Sequence, residues 1–162
     1  MESKIKVLVA EDIESIRKRY CSIFAKDPSI IVCGTAKNGY EAVMLAALHK
    51  PDVVLMDLEM EDKEAGIRAT REILRQFPDM KVVVLTVYEE DEMIFSAFQA
   101  GAVDYLIKNA APSEIVNAVK DAYHNRSPIR PAVAEKIRRE FQRTKINEYN
   151  YLNNIRILLQ LT

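Results

Sequence analysis

Asp52-Val53-Val54-Leu55-Met56-Asp57 decides the fold. Four consecutive apolar residues leave no polar face, so this stretch reads as a strand buried on both sides, as in a parallel sheet. The strand runs directly into a carboxylate. Three more runs repeat the pattern with a different ending. Val7-Leu8-Val9-Ala10 meets Glu11-Asp12, Val82-Val83-Val84-Leu85 meets Thr86, and Tyr105-Leu106-Ile107 meets Lys108. Ligands of an open parallel sheet bind beyond the carboxyl ends of its strands. One sheet edge therefore receives three carboxylates, a hydroxyl and an ammonium, a set suited to Mg²⁺ and a phosphoryl group.

Between these runs lie helical stretches joined by short connections. Strands are predicted at residues 4–10, 30–35, 53–56, 81–85 and 103–107. Helices are predicted at 13–26, 40–48, 65–77, 89–100 and from Pro112 to about Tyr123. The helix over 13–26 shows an apolar stripe of Ile13, Ile16, Tyr20, Ile23 and Phe24. Pro28, Pro51 and Pro78 close three of the helices. Asn38-Gly39 signals a turn, and Gly101 a helix C-cap. The acids Glu89 to Glu92 suit the positive end of a helix. The second strand alternates more than the others and is placed nearer an edge. Five β-α units in about 125 residues make a doubly wound parallel sheet with right-handed crossovers and helices on both faces. The expected class is α/β, a flavodoxin-like sheet of order 2-1-3-4-5.

After Asn125 the character changes. Residues 126–145 hold seven basic and two acidic side chains. A helix is predicted over 132–142, with Val133, Ile137 and Phe141 as its stripe. A weaker pattern follows over 146–161, through Tyr149, Leu152, Ile155, Leu158 and Leu159. The division expected is a first domain over 1–125 and a C-terminal helical linker over 126–162. The basic run reads locally as a solvated helix face.

Composition excludes several classes. The 162 residues are 49% apolar and 29% charged, ordinary for a globular protein. A formal net charge of −1 gives no global pull toward nucleic acid or membrane. The apolar runs fall far short of the roughly 18 residues that span a bilayer. The start, Met1-Glu2-Ser3-Lys4, leads into a strand with no secretory pattern, so a cytoplasmic location is expected. Cys21 and Cys33 read as a pair of buried thiols, not a disulfide. His49 and His124 fall on helical stretches and read as surface residues.

The chemistry of the sheet edge follows from residue type. Mg²⁺ takes hard oxygen ligands in an octahedron and keeps several waters. Glu11, Asp12 and Asp57 are the candidate ligands, and without a cation they repel one another. Asp57 ends the central strand and is the candidate nucleophile, since a carboxylate can form an aspartyl-phosphate. Lys108 can hold a phosphoryl oxygen as a point charge, and Thr86 can hydrogen-bond another. Taken singly, an Asp after a strand is commonly a turn or cap residue, and a Lys is commonly solvated. The combination at four strand ends is far more specific.

These residues resemble the receiver domain of two-component response regulators. The resemblance rests on Val9-Ala10-Glu11-Asp12, Asp52 through Asp57, Val84-Leu85-Thr86 and Gly101 through Lys108, and covers about residues 5–125. It implies a cytoplasmic phosphoprotein in which Asp57 accepts a phosphoryl group from a sensor histidine kinase. Glu11, Asp12 and Asp57 would bind Mg²⁺ with the backbone carbonyl of Glu59. Thr86 and Tyr105 map to the switch pair, and Lys108 to the lysine that contacts the phosphoryl group. Phosphorylation would draw the Thr86 hydroxyl inward, and the Tyr105 ring would fill the space vacated. Enzymatic activity would be limited to slow self-phosphorylation and self-dephosphorylation at Asp57.

Lys108-Asn109-Ala110 and Ala69-Thr70-Arg71-Glu72-Ile73-Leu74 are similar to the LuxR/NarL-type subfamily, whose output is a DNA-binding helix-turn-helix. That implies transcription regulation through an output domain not in this chain, a chain truncated before it, and a homodimer on activation. The loop Met60-Glu61-Asp62-Lys63-Glu64-Ala65-Gly66 departs from the family, lacking its proline and reading one residue longer. Two other readings are open. One is a stand-alone interaction module of the same fold. The other is an aspartate-nucleophile phosphatase, which needs a second aspartate where this chain has Glu59.

Overall fold

The computed structural model describes residues 3–128 and 131–160. The chain order is β1 (Ile5–Ala10), α1 (Glu14–Ala25), β2 (Ile30–Ala36), α2 (Gly39–His49), β3 (Val53–Met56), α3 (Ala65–Gln76), β4 (Lys81–Thr86), α4 (Asp91–Gln99), β5 (Asp104–Ile107), α5 (Pro112–Tyr123) and α6 (Pro131–Gln160). The five strands form one parallel sheet in the order β2-β1-β3-β4-β5. The flavodoxin-like expectation is met, and β2 is an edge strand.

Period-2 alternation explains why the sheet is apolar on both sides. Leu8, Val54, Met56, Val82, Val84 and Tyr105 face one core, built with residues of α2, α3 and α4. Val7, Val9, Val53, Leu55, Val83, Leu85 and Leu106 face the other, beneath α1 and α5. Each fully buried Val or Leu stabilises by roughly 1.5–3 kcal/mol relative to exposure. Register then aligns the strand ends. Ala10 pairs with Met56, Met56 with Val84, and Thr86 with Ile107. Glu11, Asp57 and Lys108 each follow these positions directly, so they emerge at the same edge.

Local signals set the helix ends. Asn38 caps α2, its Oδ1 accepting the Glu41 N–H at 2.8 Å. The Asn38-Gly39 turn of the sequence reading is thus also a helix start. Gly101 follows α4 with φ +111°, and a Cβ there would meet Leu74 Cδ1 at 2.5 Å. Cys21 and Cys33 are free and only half-buried, not fully buried thiols. His124 is exposed and His49 half-buried.

The C-terminal region differs from its sequence reading. One helix, α6, runs over 30 residues where two stretches are predicted. No Gly or Pro interrupts it after Pro131, and polar Arg143-Thr144-Lys145 weakens the apolar period without breaking the helix. The amino-terminal part of α6 packs against α4, and Ile137 reaches the core beneath. The side chains of Val133, Tyr149, Ile155, Leu158 and Leu159, and all of Leu161 and Thr162, lie outside the described residues.

Candidate phosphoacceptor site

Glu11, Asp12 and Asp57 converge as expected: one carboxylate oxygen from each lies within 4.8 Å of the others. Glu11 and Asp57 are buried and Asp12 is exposed. The loops are fixed by backbone bonds. Asp57 N–H donates to the Ala10 carbonyl at 3.0 Å, and Glu11 N–H to the Ala36 carbonyl at 2.9 Å. Lys108 reaches into the acidic group, its Nζ donating to Glu11 Oε1 and Asp57 Oδ2, both at 3.0 Å. Thr86 is buried at the end of β4. Asp12, Asp57 and Lys108 border a cleft of about 290 Å³ that Ile13, Glu59 and Val87 also line. A larger concavity of about 620 Å³ sits among Pro51, Asp52, Phe77 and Tyr123, at the opposite edge of the sheet, away from the converging carboxylates.

The electrostatics follow from crowding. Burial, and then the hydrogen bond and negative charge of Asp57, push the Glu11 carboxyl up to about 8 against the opposing pull of Lys108. Burial alone would lower the Lys108 ammonium, but its bonds to Glu11 and the charge of Asp57 outweigh that and hold it above its ordinary value. Glu11 Oε2 is buried with no hydrogen-bond partner. A buried polar oxygen left unpaired costs roughly 1–3 kcal/mol. An orphaned hard oxygen beside two further carboxylates fits a divalent cation such as Mg²⁺.

Thr86 and Tyr105 lie on the neighbouring strands β4 and β5, and Tyr88 bonds both. The Tyr105 ring is already inside, 2% exposed and stacked on Phe98 at 6.5 Å between centroids. Its hydroxyl donates to the Tyr88 carbonyl at 2.8 Å. In that position the ring has an aromatic neighbour and its hydroxyl has an acceptor. Thr86 Oγ1 accepts a long bond of 3.4 Å from the Tyr88 N–H.

Sequence reading missed several supporting residues. Arg17 donates to the carbonyls of Glu11 at 2.9 Å and Asp12 at 3.3 Å, pinning the acidic loop from the first turns of α1. Its position on α1, a few residues after Asp12, was the available signal. Tyr88 links both sides of the cleft: its hydroxyl donates to Glu59 Oε2 at 2.6 Å, and Lys63 Nζ lies 5.0 Å from its ring centroid. The bond to Glu59 pushes the Tyr88 phenol up to about 12. Glu61, in the atypical loop, receives Gly39 N–H at 2.8 and 2.9 Å and so ties that loop to the start of α2. Gly66 approaches so closely that a Cβ would lie 2.0 Å from the Asp57 carbonyl oxygen. No pattern in the sequence marks Tyr88, Glu61 or Gly66, since each acts across a long loop contact.

Comparison with known proteins agrees with this geometry. The model of the response regulator receiver domain matches residues 7–120. Oxygen regulatory protein NreC of Staphylococcus carnosus is 33% identical over 150 residues, 93% of this chain and 69% of the relative. Transcriptional regulatory protein LiaR of Bacillus subtilis is 38% identical over 133 residues, 82% of this chain and 63% of the relative. The chain thus spans about two-thirds of the length of these curated relatives. Among solved structures, a two-component response regulator of the LuxR family from Aurantimonas sp. SI85-9A1 superposes with a TM-score of 0.77 at 28% identity, covering 85% of this chain and 98% of that one. Strand order, converging carboxylates and sequence match lead to one assignment: this chain belongs to the response regulator receiver domain family, among relatives of the LuxR/NarL type.

Proposed function

We propose that Asp57 is the phosphoacceptor of this receiver and that Glu11, Asp12, Asp57 and the Glu59 backbone carbonyl hold Mg²⁺ beside it. The observation that carries the reading is Lys108 Nζ bonded to both Glu11 and Asp57 in a cleft open to solvent. In the transfer, an Asp57 carboxylate oxygen attacks phosphorus, a P–O bond forms, and the P–N bond to the donor histidine of a sensor kinase breaks. Lys108 balances charge on the incoming phosphoryl oxygens, and the Thr86 hydroxyl donates to another. Each such charge-assisted bond is worth roughly 1.5–3 kcal/mol. Bound Mg²⁺ would neutralise the charge gathered by phosphoryl group and carboxylates. A small phosphodonor can replace the kinase, which gives slow self-phosphorylation.

The remainder of the reading comes from the relatives. A DNA-binding output beyond this chain, control of transcription and a homodimer on activation fit proteins such as LiaR. A cytoplasmic setting fits a partner kinase, and no helix among the described residues is long and apolar enough to cross a membrane. The phosphatase alternative needs Glu59 as a free proton shuttle, whereas Tyr88 holds its carboxylate. The test is the intact mass after incubation with acetyl phosphate. Gain of one phosphoryl group that requires Mg²⁺ supports the proposal, and an unchanged mass at saturating donor overturns it.

A further inference from the structure

Residues 58–66, the loop after Asp57, contain no proline, so no ring fixes its φ angles. Hydrogen bonds hold it instead. Gly66 N–H donates back to the Leu58 carbonyl at 2.7 Å, which closes the loop at its base. Inside the loop, Met60 N–H donates to the Asp62 carbonyl at 3.1 Å. That bond orients one peptide unit. The Glu59 carbonyl and the Met60 N–H share a single plane and, in this trans peptide, point in opposite directions. Wherever the Asp62 carbonyl draws the N–H, the Glu59 carbonyl points the other way. Glu59 and Met60 both border the cleft that Asp12, Asp57 and Lys108 line.

The Asp62 carbonyl is therefore the pivot, and side chains moor it on two sides. Through both of its oxygens, the Glu61 carboxylate receives the Gly39 N–H, at 2.8 and 2.9 Å. Gly39 is the first residue of α2, so its N–H is one that a helix leaves without an intrahelical partner. A carboxylate there also meets the positive end of the helix dipole. The approach is close: a Cβ on Gly39 would lie 3.2 Å from Glu61 Oε1 and 3.1 Å from the Ala65 carbonyl oxygen. On the other side, the Asp62 carboxylate accepts the Glu64 N–H at 2.9 Å and bonds Arg68 of α3.

We propose that Glu61 is a positioning residue for the metal site. By mooring the loop to α2 it keeps the Asp62 carbonyl in place, and with it the direction of the Glu59 carbonyl offered to Mg²⁺. The proposal rests on the metal site put forward above. Glu61 itself is not a ligand. It acts by preorganisation: a carbonyl already oriented loses less freedom when it takes its place beside the metal. The Glu61 carboxylate is also a negative charge near a cation site, and its field alone favours Mg²⁺. Glu61→Gln separates the two effects, since it removes the charge but keeps an oxygen to accept the Gly39 N–H.

The test is titration of the full chain with MgCl₂, followed by amide chemical shifts, in wild type, Glu61→Ala and Glu61→Gln. Glu61→Ala should raise the Kd for Mg²⁺ by about ten-fold, the lower end for loss of a residue that orients a metal ligand. Glu61→Gln should stay close to wild type. The melting temperature without metal is read in parallel, to show that both variants fold. A merely structural role lowers that temperature in Glu61→Ala and leaves the Kd unmoved, which overturns the proposal while the metal site stands. Equal loss of affinity in Glu61→Ala and Glu61→Gln also overturns it, because charge and not position then carries the effect. Absence of Mg²⁺ binding by wild type overturns the metal site and the proposal together.

Discussion

Asp12 shows how residue type and exposure divide the work of one site. Glu11 and Asp57 are buried and bonded to Lys108, whereas Asp12 faces solvent with its carboxylate beside theirs. In the proposed metal site Asp12 would thus add a ligand without adding a buried charge. Millimolar Mg²⁺ should raise the melting temperature of wild type by mass action, by about 2.7 kcal/mol of stability at a hundred-fold excess over Kd. Asp12→Ala should lose most of that shift, measured by thermal unfolding with and without the metal. An equal shift in both proteins removes Asp12 from the metal site. Gly66 offers a second test. A Cβ there would sit 2.0 Å from the Asp57 carbonyl oxygen and 2.6 Å from Leu58 Cα, against backbone that has little room to yield. Gly66→Ala should cost about 1–3 kcal/mol, the range of overpacked sites, in chemical denaturation. Unchanged stability means that the loop after Asp57 shifts freely. Asp57 and Lys108 were legible in the sequence because each ends an apolar run. Gly66 was not, because its role is set by a neighbour in space.

Elements were legible to the degree that their boundaries rest on local chemistry. β3 and α5 fall where apolar continuity and Pro112 place them. α4 starts at Asp91, two residues inside the acidic run, because Glu90 takes an extended conformation at the cap. The sequence predicts two stretches where α6 is one helix, since its continuity depends on the absence of breakers and not on an apolar period. Pairing between elements had no sequence signal. Asp27, just beyond α1, bonds Lys120 of α5 at 2.7 Å and receives Ser29 Oγ at 2.6 Å. The Lys120 bond, then those from Ser29, hold its carboxyl down at about 2 against an ordinary 3.8. A carboxyl lowered in the folded state stabilises above its unfolded value, and that contribution disappears as pH falls through the folded value. The difference in melting temperature between wild type and Asp27→Asn should therefore shrink as pH falls from about 4 to about 2. A difference that stays constant over that window shows that the α1–α5 tie does not depend on the ionised carboxylate.

At the scale of the whole molecule, one sheet brings Glu11, Asp57, Thr86 and Lys108 from the ends of β1, β3, β4 and β5 to a single edge, and α6 packs against α4. The architecture was legible because alternating β and α segments admit few topologies. The docking of α6 on α4 was not, because it rests on pairs between distant residues, Lys136 with the Glu89 carbonyl and Arg139 with Asp91. Everything in this account depends on where the phosphoryl group lands. The most direct measurement is peptide mapping by tandem mass spectrometry after acetyl phosphate and Mg²⁺, trapping the acyl phosphate by borohydride reduction, in wild type and Asp57→Asn. The account predicts modification of Asp57 alone in wild type and none at the sheet edge of the variant. Modification of Glu11 or Asp12 in wild type, or full labelling of Asp57→Asn, would contradict it.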